Sequence, residues 1–178
     1  MKAKRIFKPA ALATILGMST LMSAGNLFAD DAPTSINEDA ISLLQAVKIA
    51  RQHTTGAEPL QAEREVEMGQ TFYEITLTTK DGQEIETDID AQTGAVILSR
   101  MEKEDRDDAR ENALLFSGIQ SGKFLSLEKA LTQTEKAMNG RAWTIDIDHD
   151  HNEVEYEVEL LGEDNRRLET RFTANTAT

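Results

Sequence analysis

Residues 72–99, FYEITLTTKDGQEIETDIDAQTGAVILS, hold three short runs rich in β-branched and aromatic residues, separated by turn-forming residues. YEITL and EIETDID alternate apolar and polar side chains with the period of two that indicates a half-buried strand, and AVILS is a short apolar run. Asp81-Gly82 and Thr93-Gly94 lie between the runs and favour tight turns. A fourth run, EREVEM at residues 63–68, precedes them across Gly69. The stretch therefore predicts a small antiparallel sheet.

A helix is predicted directly before these strands. Its apolar residues recur at helical spacing, and they are Ala40, Leu43, Leu44, Val47 and Ala50. Asn37 is the predicted N-cap, since Glu38 and Asp39 would then lie in the first turn, where acidic side chains favour the helix dipole. Gly56 is a natural residue to end the helix.

The same pattern occurs a second time along the chain. ISLLQAV at Ile41 resembles LSLEKAL at Leu125, and YEITL at Tyr73 matches YEVEL at Tyr156. The spacing is 84 residues over the helices and 83 over the later segments, which indicates a tandem duplication. In the second copy, Ser126 is the predicted N-cap. The predicted fold is α+β, with two units that each pack a helix on a small antiparallel sheet, joined by a polar helix.

Four segments follow from this organisation: a signal peptide at 1–29, a first unit at 30–100, a connecting helix or linker at 101–123, and a second, divergent unit at 124–178 that is shortened at its C-terminus. The first segment has a basic start, an uncharged stretch and small residues before Ala29, as secretory signals do. A retained membrane anchor is the alternative. The mature protein is expected in the periplasm or secreted.

The charge of the chain limits its partners. The formal net charge is −13, and removal of residues 1–29 takes away four basic residues and no acidic ones, which makes the mature chain about −17. Nucleic acid and anionic lipid would be repelled. A basic protein surface or cations fit this charge. The chain has no cysteine, so disulfides are excluded. The sequence does not indicate an oligomeric state.

The first unit resembles the PepSY domain family. The resemblance lies in AVKIA in the helix, in YEITL, and in DGQEIETDIDAQTGAVI, which includes the family's turn at Asp90, Ala91, Thr93 and Gly94. The second unit keeps YEV at Tyr156 but has TANTA, residues 173–177, in place of the turn. PepSY domains occur in peptidase propeptides and exported bacterial proteins. The resemblance implies a binding or regulatory module without shared catalytic residues, which could inhibit a peptidase or modulate a membrane sensor.

A second hairpin, predicted within DIDHDHNEVEYEVEL at residues 146–160, is strongly acidic. The apolar residues have odd numbers on the first strand and even numbers on the second, so they share one face only if the numbers of paired residues add up to an odd sum. The predicted register places Ile147 opposite Val154 and Ile145 opposite Tyr156. This leaves a loop at 149–152. The polar face would place acids opposite acids, which is unfavourable without a cation or a basic partner. The predicted partner-binding residues are Asp146, Asp148, Glu155 and Glu157.

A divalent metal is the alternative ligand of this hairpin. Its predicted ligands are crowded around the loop and are Asp148, His149, Asp150, His151 and Glu153. Imidazole and carboxylate ligands suit zinc or copper. A calcium-binding EF-hand is disfavoured, because His151 occupies the position that needs glycine. A solvated hairpin without any ligand is the simplest interpretation.

No pattern in the sequence indicates catalysis. The HExxH and GxSxG motifs are absent, and no glycine-rich loop follows a strand. We therefore expect no enzyme activity, no catalytic residues and no cofactor apart from the metal alternative. The function expected is a non-enzymatic periplasmic binding or regulatory module, with a peptidase or a membrane sensor as its protein partner. The alternative is a periplasmic metal-binding or metal-responsive protein.

Overall fold

The computed structural model describes residues 33–103, 106–150 and 153–176. The predicted signal peptide at 1–29 lies outside these residues. The elements, in chain order, are α1 (Leu43–His53), β1 (Glu58–Glu67), β2 (Gln70–Thr78), β3 (Glu84–Asp90), β4 (Val96–Met101), α2 (Arg106–Gln120), α3 (Leu127–Met138), β5 (Gly140–Asp150), β6 (Glu153–Gly162) and β7 (Arg167–Thr173).

All seven strands form one antiparallel sheet in the order β4-β3-β2-β1-β5-β6-β7. Helices α1 and α3 pack on one face of this sheet, where the inward residues of the central strands are fully buried, among them Tyr73, Ile75, Ile145, Tyr156 and Val158. The α+β class predicted from the sequence is confirmed. The boundaries of the two predicted units stay a prediction.

The start of α1 differs from the prediction. Its N-cap is Ser42, whose hydroxyl accepts from the backbone N–H of Gln45 at 3.2 Å, while the Gln45 side chain accepts from the backbone N–H of Ser42 at 2.8 Å. This reciprocal capping box satisfies two backbone donors at once. The prediction of Asn37 as the cap was wrong. Ser126 caps α3 as predicted, but its side chain makes no capping hydrogen bond.

The two halves of the sheet meet at β1 and β5. Ala62 lies opposite Ile145, and these are equivalent residues in the two copies, 83 positions apart. Both strands also carry a bulge at equivalent places, at Leu60 between Pro59 and Gln61, and at Trp143 between Ala142 and Thr144. An antiparallel pair of equivalent residues is what a local two-fold axis through the sheet produces. The halves are therefore related like the subunits of a strand-paired dimer.

Equivalent hydrogen bonds support the same relation. The Tyr73 hydroxyl donates to the Ile41 carbonyl at 3.0 Å, and the Tyr156 hydroxyl donates to the Leu125 carbonyl at 2.8 Å. The Ile41 N–H donates to the Ala91 carbonyl, as the Leu125 N–H does to the Ala174 carbonyl. Each tyrosine thus fixes the segment before its helix to the sheet. These contacts are equivalent in the two halves, and the tandem duplication itself stays a prediction.

A buried ion pair anchors the segment before α1. Arg64 binds Asp39 through two hydrogen bonds, Nε to Oδ2 at 2.7 Å and Nη2 to Oδ1 at 3.0 Å. The Tyr73 hydroxyl oxygen lies 2.9 Å from the same Asp39 Oδ2, so its single proton is shared between this carboxylate and the Ile41 carbonyl. Asp39 is almost fully buried, with 1% of its side chain exposed, and Arg64 has 12% exposed. Among the residues that the structure describes, Arg64 and Tyr73 supply the side-chain hydrogen bonds to the Asp39 carboxylate.

The register of the second hairpin corrects the prediction. Ile147 lies opposite Tyr156 and Ile145 opposite Val158, two residues away from the predicted partners. The numbers of the paired residues still add up to an odd sum, as predicted, so the apolar residues of both strands lie on the face that α1 and α3 cover. His149 and Asp150 belong to strand β5, not to a loop, and only residues 151 and 152 remain between the strands. On the other face, Asp148 lies opposite Glu155, and Asp146 opposite Glu157.

Candidate functional site: the open face of the sheet

The face of the sheet opposite α1 and α3 is dominated by carboxylates. The strand registers place on it every second residue of the central strands, since side chains alternate between faces. We call this surface the open face. Its acidic residues come from both halves of the chain and include Glu63, Glu65, Glu74, Glu86, Asp88, Asp146, Asp148, Glu155, Glu157, Glu159 and Glu169. Helices α1 and α3 pack on the opposite face of the sheet.

All four predicted partner-binding residues lie together on the open face. Asp146 and Asp148 of β5 lie directly opposite Glu157 and Glu155 of β6. Asp148 is exposed and the other three are partly buried. Like charges directly opposite one another across strands are destabilising, and a cation would relieve the repulsion. The structure thus brings the predicted residues together; their role in binding stays a prediction.

The sequence analysis missed the part of the open face that comes from the first half. Gln61 of β1 lies opposite Asp146, and Glu63 lies opposite Thr144, so β1 continues the acidic surface of β5. Beyond β1, Glu74 on β2 and Asp88 on β3 extend it further. The alternating acids in EREVE and EIETDID were a signal for these residues. The pairing of β1 with β5 joins the two acidic surfaces. The alternation of apolar and polar residues along each strand does not indicate this pairing.

Arginines on the two outermost strands, β4 and β7, interrupt the acidic surface. Arg100 on β4 lies opposite Glu86, and its Nη2 is 2.7 Å from Glu86 Oε1. Arg171 on β7 lies opposite Glu157, and its Nη2 is 2.6 Å from Glu157 Oε2. Contacts with carboxylates raise the pKa of both guanidinium groups. The rest of the face carries a surplus of negative charge.

The crowding shifts the ionisation of the central carboxylates. Burial raises the pKa of Asp146 to about 7, and the charges of Asp148, Glu157 and Glu63 add to the shift, against a hydrogen bond from the Ile147 N–H. Burial likewise raises the pKa of Glu159 to about 7, with further contributions from Glu169 and Glu157. The ionised forms of Asp146 and Glu159 are therefore less favourable in the folded protein than in a solvent-exposed carboxyl group. A cationic partner that approached these groups would stabilise them.

The predicted metal ligands lie only partly within the described residues. His151 lies outside them, and for His149 and Asp150 only the backbone is described, in strand β5. Asp148 and Glu153 are exposed on β5 and β6. Elsewhere on the open face, Glu74, Glu86 and Asp88 offer carboxylate oxygens within 4.8 Å of one another. Arg100 already binds Glu86 of this group.

The open face is a surface and not a pocket. Two clefts of about 290 and 510 Å³ lie elsewhere, one lined by Asn37, Glu135 and Arg141, the other by Lys123 and Thr176 among others. Neither cleft is lined by the carboxylates of the open face. A broad charged surface is suited to a macromolecular partner, since small ligands are usually bound in concave sites.

Comparison with known proteins identifies the first half of the chain. The family model described as "Peptidase propeptide and YPEB domain", PepSY, matches residues 40–100. Residues 40–100 form a PepSY domain. This PepSY domain comprises α1 and strands β1 to β4. The resemblance of the second half to the same family rests on its sequence pattern and on the equivalent contacts described above.

The other two comparisons add little. No curated protein matched the sequence. Among solved structures, the chain is similar to a "putative lipoprotein" from Clostridium difficile 630, with 18% identity and a TM-score of 0.46. The match covers 80% of this chain and 92% of the other.

Proposed function

We propose that this chain is a non-enzymatic extracytoplasmic module of PepSY type that binds a protein partner on the open face and regulates it. The observation that carries the proposal is the field of carboxylates that continues across strands of both halves, on the face of the sheet opposite α1 and α3. Central groups of this field are held with raised pKa values, so a basic partner surface would relieve an unfavourable arrangement.

The partner proposed is a peptidase or the outer domain of a membrane sensor. The family description names peptidase propeptides, which supports a peptidase as the partner. A basic patch on either partner would match the open face, because complementary charge speeds and orients association. Inhibition or modulation would then follow from occupying the partner's surface, with no chemistry performed by this chain.

Placement outside the cytoplasm rests on two features. Residues 1–29 have the basic start and uncharged stretch of an export signal. PepSY domains belong to exported proteins, as the resemblance implies. Among the described helices, none is long and apolar enough to cross a membrane.

The experiment compares two variants with equal charge changes. We expect the open-face variant Asp148→Asn/Glu155→Gln/Glu157→Gln to bind the captured partner about tenfold or more weakly, with the loss mainly at low salt. The control variant Glu38→Gln/Asp81→Asn/Glu163→Gln, changed at exposed sites off the open face, should bind within about twofold of the unchanged chain. The partner is isolated from extracytoplasmic extract, purified and titrated by calorimetry. Equal weakening by both variants would show that net charge alone acts, and no weakening would reject the open face.

The metal alternative is a second proposal, carried by the crowding of Asp148, Asp150 and Glu153 at the end of one hairpin. If it holds, zinc or copper should raise the melting temperature of the chain, and His149→Ala/His151→Ala should abolish the shift. Binding should weaken as the pH falls through about 6.5, because histidine must be neutral to bind a metal. Calorimetry and melts with zinc, copper and calcium test this. No heat and no shift with any ion would end the proposal.

A further inference from the structure

Within residues 33–103, 106–150 and 153–176, strand β4 of the first half has no counterpart in the second. Strand β7 in the second half is equivalent to β3 in the first, with Glu169 at the place of Glu86. Strand β4 covers the outer side of β3, whereas β7 forms the end of the sheet. Within the described residues, no strand pairs with the outer side of β7.

Side chains that β4 covers in the first half are less buried in the second. Thr87 and Ile89 on β3 are fully buried, each at 0% exposure. Their counterparts on β7, Thr170 and Phe172, are only partly buried. The side-chain surface that is fully buried on β3 in the first half is therefore partly accessible on β7 in the second half.

The backbone of β7 presents the groups that a further strand would bind. In the first half, the Asp90 N–H donates to the Ala95 carbonyl at 2.9 Å, and the Glu84 carbonyl accepts from the Glu102 N–H at 2.9 Å. In the second half, the Arg166 carbonyl accepts from the Gly162 N–H, so the even-numbered residues of β7 face β6. Glu169 and Arg171 therefore direct their backbone N–H and carbonyl groups toward the free edge.

The charges along this edge indicate the chemistry of the missing strand. In the first half, Arg100 of β4 lies opposite Glu86 at 2.7 Å. In the second half, Glu169 has Arg171 at 4.0 Å, and Arg171 binds Glu157 more closely, at 2.6 Å. Burial and the charge of Glu157 raise the pKa of Glu169. A cation opposite Glu169, at the position that Arg100 has in the first half, would supply the missing charge.

We propose that the free edge of β7 accepts an extended segment of the partner protein as an eighth strand, antiparallel to β7, with an arginine or lysine opposite Glu169 and an apolar residue opposite Phe172. The inference rests on the proposed function as a protein-binding module and specifies how the partner is held. Main-chain hydrogen bonds would provide affinity and the alternating side chains would provide selectivity. Strand β4 itself supplies the pattern, because Arg100 and Val96 occupy these positions against β3.

The probe is a synthetic peptide of residues 94–103, GAVILSRMEK, added to the full chain. We expect it to protect the amides of Glu169 and Arg171 from hydrogen exchange. Two altered peptides serve as controls, one with glutamate in place of its arginine and one with N-methylated backbone amides. Each should bind about tenfold or more weakly, since one loses the ion pair and the other loses main-chain hydrogen bonds.

Variants of the chain test the same edge. Glu169→Pro removes an outward N–H without removing a hydrogen bond to β6, and edge strands tolerate proline at such positions. It should abolish binding of the peptide, whereas Glu169→Gln, which keeps the N–H, should bind with only a modest loss. The proposal is overturned if the peptide leaves β7 amides unprotected at about 1 mM, if it protects β4 amides instead, or if the N-methylated peptide binds equally. A dimer of the chain through β7 without peptide would also overturn it.

The same variants separate this inference from the proposed function. If a captured partner still binds Glu169→Pro but not Asp148→Asn/Glu155→Gln/Glu157→Gln, the open face stands and strand addition is wrong. If the peptide binds at β7 while neither variant affects any partner, the edge accepts strands and the proposed function is wrong.

Discussion

Replacing Asp39 by alanine is expected to lower the free energy of unfolding by about 3–5 kcal/mol, as loss of one partner from a buried ion pair does. The change would remove the carboxylate that binds the Arg64 guanidinium, whose side chain is only 12% exposed. It would also remove one of the two acceptors of the Tyr73 hydroxyl, the other being the Ile41 carbonyl. Urea denaturation followed by circular dichroism measures the effect.

Two further variants show whether the charge is the cause. Tyr73→Phe, which removes only a hydroxyl, should cost about 1–2 kcal/mol. The double variant Asp39→Leu/Arg64→Met removes both charges and should recover much of the loss, because replacing a whole buried pair by apolar groups is often nearly neutral. A loss below about 1 kcal/mol for Asp39→Ala would mean that water reaches Arg64 and that the cluster does not anchor the segment before α1.

The stability of the chain is expected to fall as the pH rises from about 5 to about 8. Asp146 and Glu159 have folded pKa values of about 7, above their ordinary values of 3.8 and 4.5. Between these values the folded state holds more protons than the unfolded state, so raising the pH favours unfolding. Asp146 contributes up to a few kcal/mol, since one pKa unit corresponds to about 1.4 kcal/mol. Glu159 contributes less, because solvent screens a more accessible carboxylate. Denaturation curves at several pH values measure the slope.

Neutral variants give the matching control. Asp146→Asn and Glu159→Gln should each raise the free energy of unfolding at about pH 8 and flatten its dependence on pH. Burial is the main cause of both raised pKa values, and the charges of Glu63 on β1, Asp148 on β5, Glu157 on β6 and Glu169 on β7 add to it. Glu163→Gln, at an exposed turn, should leave the slope unchanged. A stability that rises with pH over this range would contradict the raised pKa values.

Local features of the fold were predictable because they depend on neighbouring residues. The alternation of YEITL and EIETDID placed β2 and β3 correctly, and Gly69, with φ of +82°, lies in the predicted β1–β2 turn. The cap of α1 was misplaced since several polar residues precede the helix. Ser42 is the N-cap because Gln45, three residues later, completes the capping box with it.

The register of the second hairpin illustrates the limit of alternation. A shift of two residues keeps every side chain on its face, so the pattern alone could not distinguish Ile147 opposite Val154 from Ile147 opposite Tyr156. The first hairpin held the missing information. Its strands end at Glu67 opposite Gln70, and an offset of 83 gives Asp150 opposite Glu153, which is the register found.

The joining of the two sheets could not be read from either half. Pairing of β1 with β5 depends on backbone groups that every strand possesses, so the sequence does not mark which edges meet. The predicted acidic hairpin was correct as a local feature. Its extension by Glu63, Glu74 and Asp88 into one open face is a consequence of that long-range pairing.

Site-specific photo-crosslinking in the living cell tests the central claim most directly, which is that a protein partner docks on the open face. A photoreactive residue at Asp148 or Glu155 reports on this face, and one at exposed Lys48 or Lys136 reports on the helices. We predict that both open-face positions crosslink to the same protein, and that the crosslinks weaken at high salt. Crosslinks from the helix positions alone, or none from Asp148 and Glu155, would contradict the claim.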